Sequence, residues 1–478
     1  MCARPNVVRH GGDRSPLPQP SCSSFQVHKR INAWFHTRVL SNTLSLSSSE
    51  RWKASLGALL CLAACGLLLR SLPLDAHWLL APVGASVVIL FVQFHSPVAQ
   101  PWPLLGSYLQ RLPAHSWLVL VFWALIIAPV QAALELRIAI SKGVSAVSVG
   151  SSTDAVVKDG AGRVLGELTA MNALNANPRG KAVGLADWQA SQLLIEPEND
   201  GYVWINDRWY RGRTRIIRQG SGVTALNLVD LEEYLYSVVG AEAIPSWPQE
   251  ALKAQSVAAR TYALYQMNSS GNRIYDLDTT TRTQVYKGLE SEFTSTHEAV
   301  NATAGQIMSF NGKPILAVFH SSSGGHTENV EDVWNSPLPY LRGVVDYDQV
   351  APVFQWSKNF SASELGSLIG GVGRVRSLSP QRITPHGRVI RMRVVGDQGS
   401  KLISDAQLRR LLDLRSTLFT ISANNGTFAI NGRGFGHGIG LSQWGAFSLA
   451  DQGVTYDRIL SHYYQNASLT EMSPEVPR

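Results

Sequence analysis

Cysteine is scarce in this 478-residue chain and is missing from most of it. The four cysteines all lie within the first 65 residues, at Cys2, Cys22, Cys61 and Cys65. Residues 66–478 can therefore form no internal disulfide, no thiolate metal site and no cysteine nucleophile. A cysteine-free region of this size is compatible with an oxidising compartment without requiring one.

An excess of positive charge is also missing from the larger, C-terminal part. The chain carries a net charge of +7, but residues 1–112 alone hold ten Lys or Arg and three Asp or Glu. Residues 113–478 are therefore neutral overall. The basic residues precede hydrophobic stretches and do not form a folded basic patch, which argues against a nucleic-acid partner.

The N-terminal third has the pattern of a membrane-associated leader. Residues 1–50 are rich in Ser, Pro and Arg and are predicted to be disordered. Apolar segments follow at 56–69, 78–94 and 117–133, although a full span needs ~20 residues. The last one ends in small residues with a plausible cleavage point after Ala132. Whether one segment spans or all three do, the number is odd, and residues 134–478 are predicted to lie outside the cytoplasm.

The remaining sequence predicts an α+β fold. Residues 134–228 contain short β-branched and aromatic runs separated by Gly, Asn and Asp, which predict an antiparallel β-rich subdomain. The runs are LELRIAI, AVSVG, QLLIEP, YVWIN and TALNLV. Residues 229–470 alternate helical and strand patterns and form the predicted catalytic core. The hydrophobic segment 51–112, the signal or anchor helix 113–133 and the tail 471–478 complete the predicted organisation.

Residues 230–262 predict two helices joined by a turn. Ser246 has the spacing to Gln249 of a capping box, and Pro248 falls in the first turn of the second helix. That helix repeats small apolar residues on one face: Ala251, Ala254, Val257 and Ala258. Glu242 lies in the turn among apolar residues, a setting that raises a carboxyl pKa and suits a general acid. The alternative is a carboxylate that stabilises the N-terminus of the following helix.

Two further stretches carry polar groups in loops. An apolar strand at 315–319 is predicted to deliver His320 into a Ser/Gly loop that returns through His326. Two histidines without a third ligand make a weak metal site. Glycines alternate from 432 to 440, which predicts an extended segment with one bare face that a flat ligand such as a sugar ring could approach. His437 projects from the other face, for a structural hydrogen bond or a ligand contact.

Four blocks of this sequence together resemble the stage II sporulation protein D/LytB family of cell-wall proteins. They are EYLYSVVGAEAIPSWPQEALKAQSVAARTY, TQVYKG, HSSSGGHTENVEDVW with PYL, and GRGFGHGIGLSQWGA. The resemblance covers about residues 134–470. It implies action on peptidoglycan, because the sporulation proteins are lytic transglycosylases that cleave glycan strands without stem peptides. The LytB branch is instead named as an enhancer of a wall amidase.

The resemblance implies one catalytic glutamate, and Glu242 occupies its position. A lytic transglycosylase needs a single acid, whereas most glycoside hydrolases need a pair. Glu250 is the nearest rival, and Glu232 and Glu233 are expected to face solvent. The usual Glu-Met-Pro is one residue longer here, reading Glu-Ala-Ile-Pro from position 242. A relative also holds zinc with cysteines and a histidine, but without cysteine this domain is predicted to have no metal and no cofactor.

The four blocks also supply polar residues that are expected to line a substrate groove. Arg260 has an alternative role in an internal ion pair. The expected set is Gln255, Arg260, Gln284, Tyr286, His320, Ser321, Ser322, His326, His437, Ser442 and Gln443. The predicted partners are peptidoglycan glycan strands, the membrane through the N-terminal segments and, for the enhancer alternative, a wall amidase.

Residues 82–101, PVGASVVILFVQFHSPVAQP, resemble the HPP family of small integral membrane proteins. The likeness covers about 60 residues, roughly half the helices of such a protein. This favours a gene fusion or a translation start placed too far upstream over a transporter. A generic membrane anchor is the alternative. Either interpretation predicts a location in the bacterial cell envelope, membrane-anchored or secreted.

Overall fold

The computed structural model describes residues 134–272, 274–279, 283–334 and 336–472. All of them belong to one compact unit, Pro129–Arg478. Both helices and strands occur and strands predominate, which confirms a mixed, β-rich fold. The predicted disordered N-terminus, the three apolar segments and most of the tail lie outside the described residues. Within the described ranges, no helix combines the length and apolarity needed to cross a membrane.

The first part of the described chain consists of short strands. All five runs singled out above form strands, namely β1, β2, β8, β9 and β12. The bounds are β1 Glu135–Val144, β2 Val147–Ser151, β3 Ala155–Asp159, β4 Val164–Leu168, β5 Leu174–Arg179, β6 Ala182–Leu185, β7 Trp188–Ala190, β8 Gln192–Pro197, β9 Val203–Ile205, β10 Arg208–Tyr210, β11 Arg213–Gln219, β12 Gly222–Asp230 and β13 Leu277–Asp278.

These strands form two sheets around a shared core. One sheet has the order β13-β1-β12-β11-β8-β3-β4, and the other has the order β10-β9-β2-β5-β6-β7. Alternation along each strand decides which side chains enter the core. In β8, for example, Leu193 and Ile195 are fully buried while their neighbours are partly exposed. Val149 of the second sheet joins the same apolar cluster, so the two sheets pack together.

Two long helices follow the strands, as the sequence predicted. They are α1, Leu231–Glu242, and α2, Gln249–Ser269. Asp230 caps α1, since its carboxylate accepts the N–H groups of Glu232 and Glu233. The predicted Ser246 cap of α2 is wrong, because Pro248 occupies the cap position and makes no side-chain hydrogen bond there. Small side chains let α2 be surrounded on nearly all sides, by α1 and by later elements.

The rest of the chain packs around α2 and also builds a second, smaller core. The remaining helices are α3 Thr294–Ala302, α4 Val330–Trp334, α5 Ala362–Ile369, α6 Asp405–Leu412, α7 Gln443–Asp451 and α8 Tyr456–Tyr463. The remaining strands are β14 Gln306–Phe310, β15 Lys313–Pro314, β16 Phe319–His320, β17 Gln355–Ser361, β18 Val375–Ile383, β19 Val389–Gly396, β20 Ser400–Ser404, β21 Phe419–Asn424, β22 Thr427–Arg433, β23 Leu441–Ser442 and β24 Ser468–Glu471.

The second core lies between two three-stranded sheets, β17-β22-β21 and β18-β19-β20, with α5 and α6 packed on them. The short strand β16 pairs in parallel with β23. Residues 315–318 are not in a strand, so the predicted strand at 315–319 is wrong except at its end. The β16–β23 pair brings the histidine loop beside the start of α7, which places two of the four sequence blocks next to each other.

Candidate active site

Glu242 is the last residue of α1, and the turn that leads to α2 begins directly after it. The next residue, Ala243, has an extended backbone, so the helix stops there. A helix C-terminus carries partial negative charge, which disfavours an ionised carboxylate beside it. Glu242 is therefore not at the start of the following helix, as the structural alternative required. Its side chain is half-buried, neither sealed in the interior nor fully in water.

The environment of the Glu242 carboxyl favours its protonated form. Burial raises the pKa of Glu242, while the hydrogen bond from Val285 and the charge of Lys287 partly oppose that rise. The Val285 N–H donates to Oε1 of Glu242 at 2.8 Å. Among the described residues, the Glu242 carboxylate makes no salt bridge. A half-buried carboxyl of this kind can hold a proton closer to neutral pH than an exposed one.

Gln284 and Tyr286 anchor the backbone on either side of Val285. Gln284 is fully buried; it accepts from the Tyr234 hydroxyl at 3.2 Å and donates to the Ala259 carbonyl at 3.1 Å. The Tyr286 hydroxyl donates to Asn227 Oδ1 at 2.8 Å. Both side chains are used inside the protein, so the structure places them behind the site, where they hold the Val285 N–H against Glu242.

The start of α7, 201 residues later in the chain, contacts the backbone of Glu242. Gln443 Nε2 donates to the Glu242 carbonyl at 2.9 Å and to Gln255 Oε1 at 3.3 Å. Ser442 accepts the Gly445 N–H and so caps α7. Gln255 is buried, and its own amide nitrogen has no hydrogen-bond partner within the described residues. The structure thus brings Glu242, Gln255, Ser442 and Gln443 together.

Three aromatic rings of the α1–α2 turn and of α7 contact one another. Trp247 follows Glu242 in the turn and lies 5.0 Å from Trp444 and 5.3 Å from Phe447, between ring centroids. All three rings are partly exposed. None of the three was among the predicted site residues, although Trp247 and Trp444 lie within two of the quoted blocks. Val285 and Lys287 were also missed, because a backbone donor and a distant charge leave no local signal.

Arg260 has the internal role that the sequence analysis held open. Its side chain is fully buried and its guanidinium donates to Glu232 at 2.7 and 2.6 Å. The same guanidinium donates to the Gln306 carbonyl at 3.1 Å. Glu232 therefore does not face solvent freely, contrary to the expectation. Glu250, the rival acid, pairs with Lys253 at 2.7 Å and accepts the backbone N–H of Tyr456.

The two central histidines are neutral and are held by the backbone. His437 Nε2 donates to the Phe319 carbonyl at 2.9 Å, and the Ile439 N–H donates to its Nδ1 at 3.1 Å. Burial lowers the pKa of His437 to about 3. His320 donates from Nδ1 to the Ile439 carbonyl, and burial holds its pKa well below the usual range. His437 thus has the structural hydrogen bonds that were one of its two alternatives.

The Ser/Gly loop that follows His320 contacts the start of α7, but its serine side chains point in different directions. Ser322 is fully buried and donates to Asp348, while the Ser321 carbonyl accepts the Trp444 N–H at 3.0 Å. His326 stacks on His386 with ring centroids 3.5 Å apart. The described residues contain no cluster of three His, Cys, Asp or Glu side chains that could hold a metal ion. Which members of the predicted set contact a substrate stays a prediction.

The glycine segment does not have the conformation predicted for it. The glycines at 434, 436, 438 and 440 all have positive φ, so the chain turns repeatedly after β22 ends. Protein atoms already occupy the space beside these glycines. The buried Arg388 guanidinium would lie 2.3 Å from a Cβ at Gly438, and the Val318 carbonyl oxygen 2.2 Å from one at Gly440. The bare face is thus covered by the protein, and the expected sugar-binding surface there is wrong.

Comparison with known proteins identifies the family. A family model described as Stage II sporulation protein matches residues 219–310, which include Glu242 and Val285. Stage II sporulation protein D of Bacillus subtilis is 35% identical over 266 residues, covering 51% of this chain and 75% of that protein. An uncharacterized protein of Brachyspira hyodysenteriae is 32% identical over 286 residues, covering 58% of this chain and 76% of that protein.

The chain belongs to the stage II sporulation protein D family. This confirms the resemblance seen in the sequence and indicates a sporulation- or cell-wall-related role. The Amidase enhancer of Bacillus subtilis is a more partial relative, 30% identical over 291 residues and matched over 40% of its length. A model of the HPP transmembrane region matches residues 44–147, and a domain of unknown function matches residues 347–440. The HPP match confirms the second resemblance, and together the matches indicate a location in the cell envelope.

Proposed function

We propose that this stage II sporulation protein D family member is a lytic transglycosylase of peptidoglycan, with Glu242 as its single acid and base. The observation that supports it most directly is the half-buried Glu242 carboxyl, whose pKa is raised by burial and whose Oε1 accepts one backbone N–H. A general acid works best when its pKa lies near the working pH. Glu232 and Glu250, the glutamates on either side of Glu242 in the sequence that were also considered, are held in ion pairs.

The proposed reaction uses that one carboxyl twice. Protonated Glu242 donates its proton to the glycosidic oxygen between N-acetylmuramic acid and N-acetylglucosamine, and the C1–O bond breaks. The carboxylate then accepts the proton of the muramic C6 hydroxyl as that oxygen bonds to C1. The products are a free 4-hydroxyl and a 1,6-anhydro end. Water is not consumed, so the reaction does not need the second carboxyl that activates water in an inverting hydrolase.

Neighbouring groups suit this chemistry. The Val285 N–H stabilises the carboxylate that forms after the first proton transfer. The buried Gln255 accepts a hydrogen bond from Gln443 Nε2 and so helps to hold that amide beside the Glu242 backbone. The partly exposed rings of Trp247 and Trp444 offer apolar faces to the C–H face of a sugar ring.

The test compares the wild-type protein with Glu242→Gln on glycan strands without stem peptides. We expect the wild type to release 1,6-anhydro products, detected by mass spectrometry. Glu242→Gln should reduce the rate about 10²–10⁴-fold, the usual contribution of general acid–base catalysis. Glu250→Gln is the matched control and should retain the activity. A wild-type protein that leaves denuded and intact strands equally uncleaved would contradict the proposal.

The amidase-enhancer alternative is favoured by one observation, the relative named Amidase enhancer. In that case the chain binds the wall and stimulates an N-acetylmuramoyl-L-alanine amidase without chemistry of its own. Glu242→Gln would then leave amidase stimulation unchanged. The two functions are distinguished by adding a purified wall amidase and measuring released stem peptide beside released anhydro-sugar.

A further inference from the structure

A cavity of about 650 Å³ lies at one end of the second core. It is lined by three consecutive residues from each strand of the β17-β22-β21 sheet, at 355–357, 431–433 and 418–420. His386 and Gly387, from the turn between β18 and β19, complete the lining. The volume falls within the range of small-ligand sites, about 300–1,000 Å³. The lining includes none of the residues placed around Glu242, so the cavity is separate from the candidate active site.

The sheet gives this cavity a polar, hydrogen-bonding face. Ser357, Asn431 and Thr420 lie opposite one another across the three strands, and Gln355 lies opposite Arg433. Residues at these alternate positions share one face of the sheet, and all five are exposed. The residues between them in each strand point to the other face, which packs on the second core. The cavity therefore presents hydroxyl and amide groups.

The turn between β18 and β19 borders the cavity. A Cβ at Gly387 would lie 3.4 Å from Leu418 Cδ1, so the turn packs on that side chain. The His386 ring stacks on His326, with centroids 3.5 Å apart, which holds the turn against the Ser/Gly loop. Burial and the neighbouring His326 lower the pKa of His386, so its ring is neutral at pH 7. The turn thus adds no charge to the cavity.

Arg433 supplies the positive charge of the lining, which holds no carboxylate. Its backbone is fixed, because its N–H donates to the Leu418 carbonyl at 2.9 Å and its carbonyl accepts the Ser416 hydroxyl at 2.6 Å. Its side chain is exposed and makes no hydrogen bond or ion pair with the described residues. A guanidinium can bind a carboxylate through two parallel hydrogen bonds. The cavity therefore suits a ligand with several neutral polar groups and one negative charge.

The surrounding region also favours an anionic ligand. Residues 347–440, which match the domain of unknown function, hold twelve Lys or Arg and five Asp or Glu, a net charge of +7. Because residues 113–478 are neutral overall, the rest of that range is acidic. A basic region attracts anions and speeds their association. Nucleic acid would need a row of cations for successive phosphates, which a single arginine in the cavity does not provide.

We propose that this cavity binds an N-acetylmuramic acid unit of a glycan strand from which the stem peptide has been removed. Removal of the peptide leaves a free carboxylate on the lactyl group, and this carboxylate pairs with Arg433. The hydroxyl and acetamido groups of the sugar bond to the neutral side chains of the same face, which both donate and accept. The inference rests on the peptidoglycan ligand of the proposed function and not on the chemistry at Glu242. It makes Arg433 the residue that distinguishes stripped strands from intact ones.

The experiment measures binding of denuded glycan strands to the full-length protein in the Glu242→Gln background, where strands are not consumed. The comparison ligand is the same strand preparation with its carboxyl groups converted to amides. Arg433→Gln should weaken binding of the free-acid strands about 10- to 100-fold, the range for a lost hydrogen bond to a charged group. It should leave the weaker binding of the amidated strands unchanged. Arg433→Lys should restore only part of the affinity, because an ammonium cannot form the bidentate pair.

Arg393→Gln is the matched control. Arg393 is also exposed, makes no ion pair with the described residues and belongs to the same basic region, but it lies on β19 outside the cavity. The control should bind both strand preparations as the parent does. Thr420→Trp, which places a large side chain in the cavity, should remove the binding of both preparations.

Three results overturn the inference directly: unchanged binding in Arg433→Gln, an equal loss in Arg393→Gln, or equal affinity of the parent for free-acid and amidated strands. Tighter binding of strands with intact stem peptides also overturns it, because their lactyl carboxyl is not free. Tighter binding of a glycerol phosphate polymer does the same, because the occupant would then be a phosphodiester.

The outcomes separate this inference from the proposed function. A wild-type protein that releases no anhydro-sugar while Arg433→Gln still weakens strand binding refutes the transglycosylase and keeps the second site. An active wild type whose strand binding is the same in Arg433→Gln refutes the second site alone. Thermal unfolding shows whether each variant folds, and the lysine variant carries the test if the glutamine variant does not fold.

Discussion

Replacing Glu242 by glutamine should make the protein more stable at neutral pH while it strongly reduces the proposed activity. The substitution removes a charge that lies half-buried at a helix C-terminus, where both burial and the helix dipole disfavour it. The Gln Oε1 can still accept the Val285 N–H that bonds Glu242 at 2.8 Å. The backbone carbonyl that receives Gln443 is untouched. The substitution therefore removes only the unfavourable free energy of holding a charge at this position.

The pH dependence follows from the direction of the shift. The pKa of Glu242 is raised in the folded protein, so the folded state holds this proton more tightly than the unfolded chain does. Stability from this group is present below the unfolded pKa of about 4.3 and is lost as pH rises through the folded pKa. The glutamine variant does not titrate there. Its advantage should therefore be small near pH 4 and reach a plateau above the folded pKa.

The expected gain in the free energy of unfolding is about 0.5–2 kcal/mol, the range common for a single stabilising substitution. The Val285 hydrogen bond and Lys287 already offset part of the cost, which argues for the lower half of that range. The assay is thermal or urea unfolding of the purified protein at several pH values from 4 to 8. Glu250→Gln is the control, since loss of its partly exposed Lys253 pair should destabilise by about 0–1 kcal/mol.

Two results would refute this reasoning. One is a glutamine variant that is less stable than the wild type at pH 8. The other is a difference that does not shrink on acidification, because the carboxyl would then not be the titrating group. Either would mean that the Glu242 charge is stabilised in the fold, and the case for a general acid would weaken.

The two remaining predictions concern the supports of the site. Gln284→Ala should lower the free energy of unfolding in urea by about 1–3 kcal/mol, because it leaves the buried Tyr234 hydroxyl without its acceptor. The same substitution should lower anhydro-sugar release, because it displaces the neighbouring Val285 N–H. Unchanged activity would contradict the positioning role of Gln284. Gly438→Ala and Gly453→Ala both place alanine at positive φ, but only the first meets protein atoms, at 2.3 Å. Gly453→Ala should lower the free energy of unfolding by about 1–2 kcal/mol, and Gly438→Ala should lower it clearly more. Equal losses in the two variants would show that the Arg388 side chain can move aside.

Helices and strands were predictable where the sequence pattern fits only one type of secondary structure. Strands β1, β2, β8, β9 and β12 follow from runs of β-branched and aromatic residues, and α2 follows from its small-residue stripe. The cap of α2 was not predictable, because a cap at Ser246 and a cap at Pro248 fit the same sequence, Ser-Trp-Pro-Gln. The glycine segment failed for a similar reason: alternation fits both a bare strand and a series of positive-φ turns.

For the candidate site, the sequence suggests Glu242 as the acid, which stays a prediction, and does not indicate which residues surround it. The choice of Glu242 as the candidate acid follows from the family resemblance and from the apolar residues around it in the sequence. Its partners Val285 and Gln443 lie 43 and 201 residues away, and a backbone N–H has no sequence signal at all. Gln284 and Tyr286 were chosen as polar groups, yet they bond inside the protein. A sequence shows which side chains are polar, but only the packing decides whether they turn inward.

The hydrogen bond from Gln443 to the Glu242 carbonyl has a consequence for when the protein can act. Glu242 and Gln443 are 201 residues apart in the sequence, so this contact forms only when α7 has docked. A chain in which α7 is not docked would carry the glutamate without this contact. The proposed cleavage of glycan strands would thereby depend on completion of the fold.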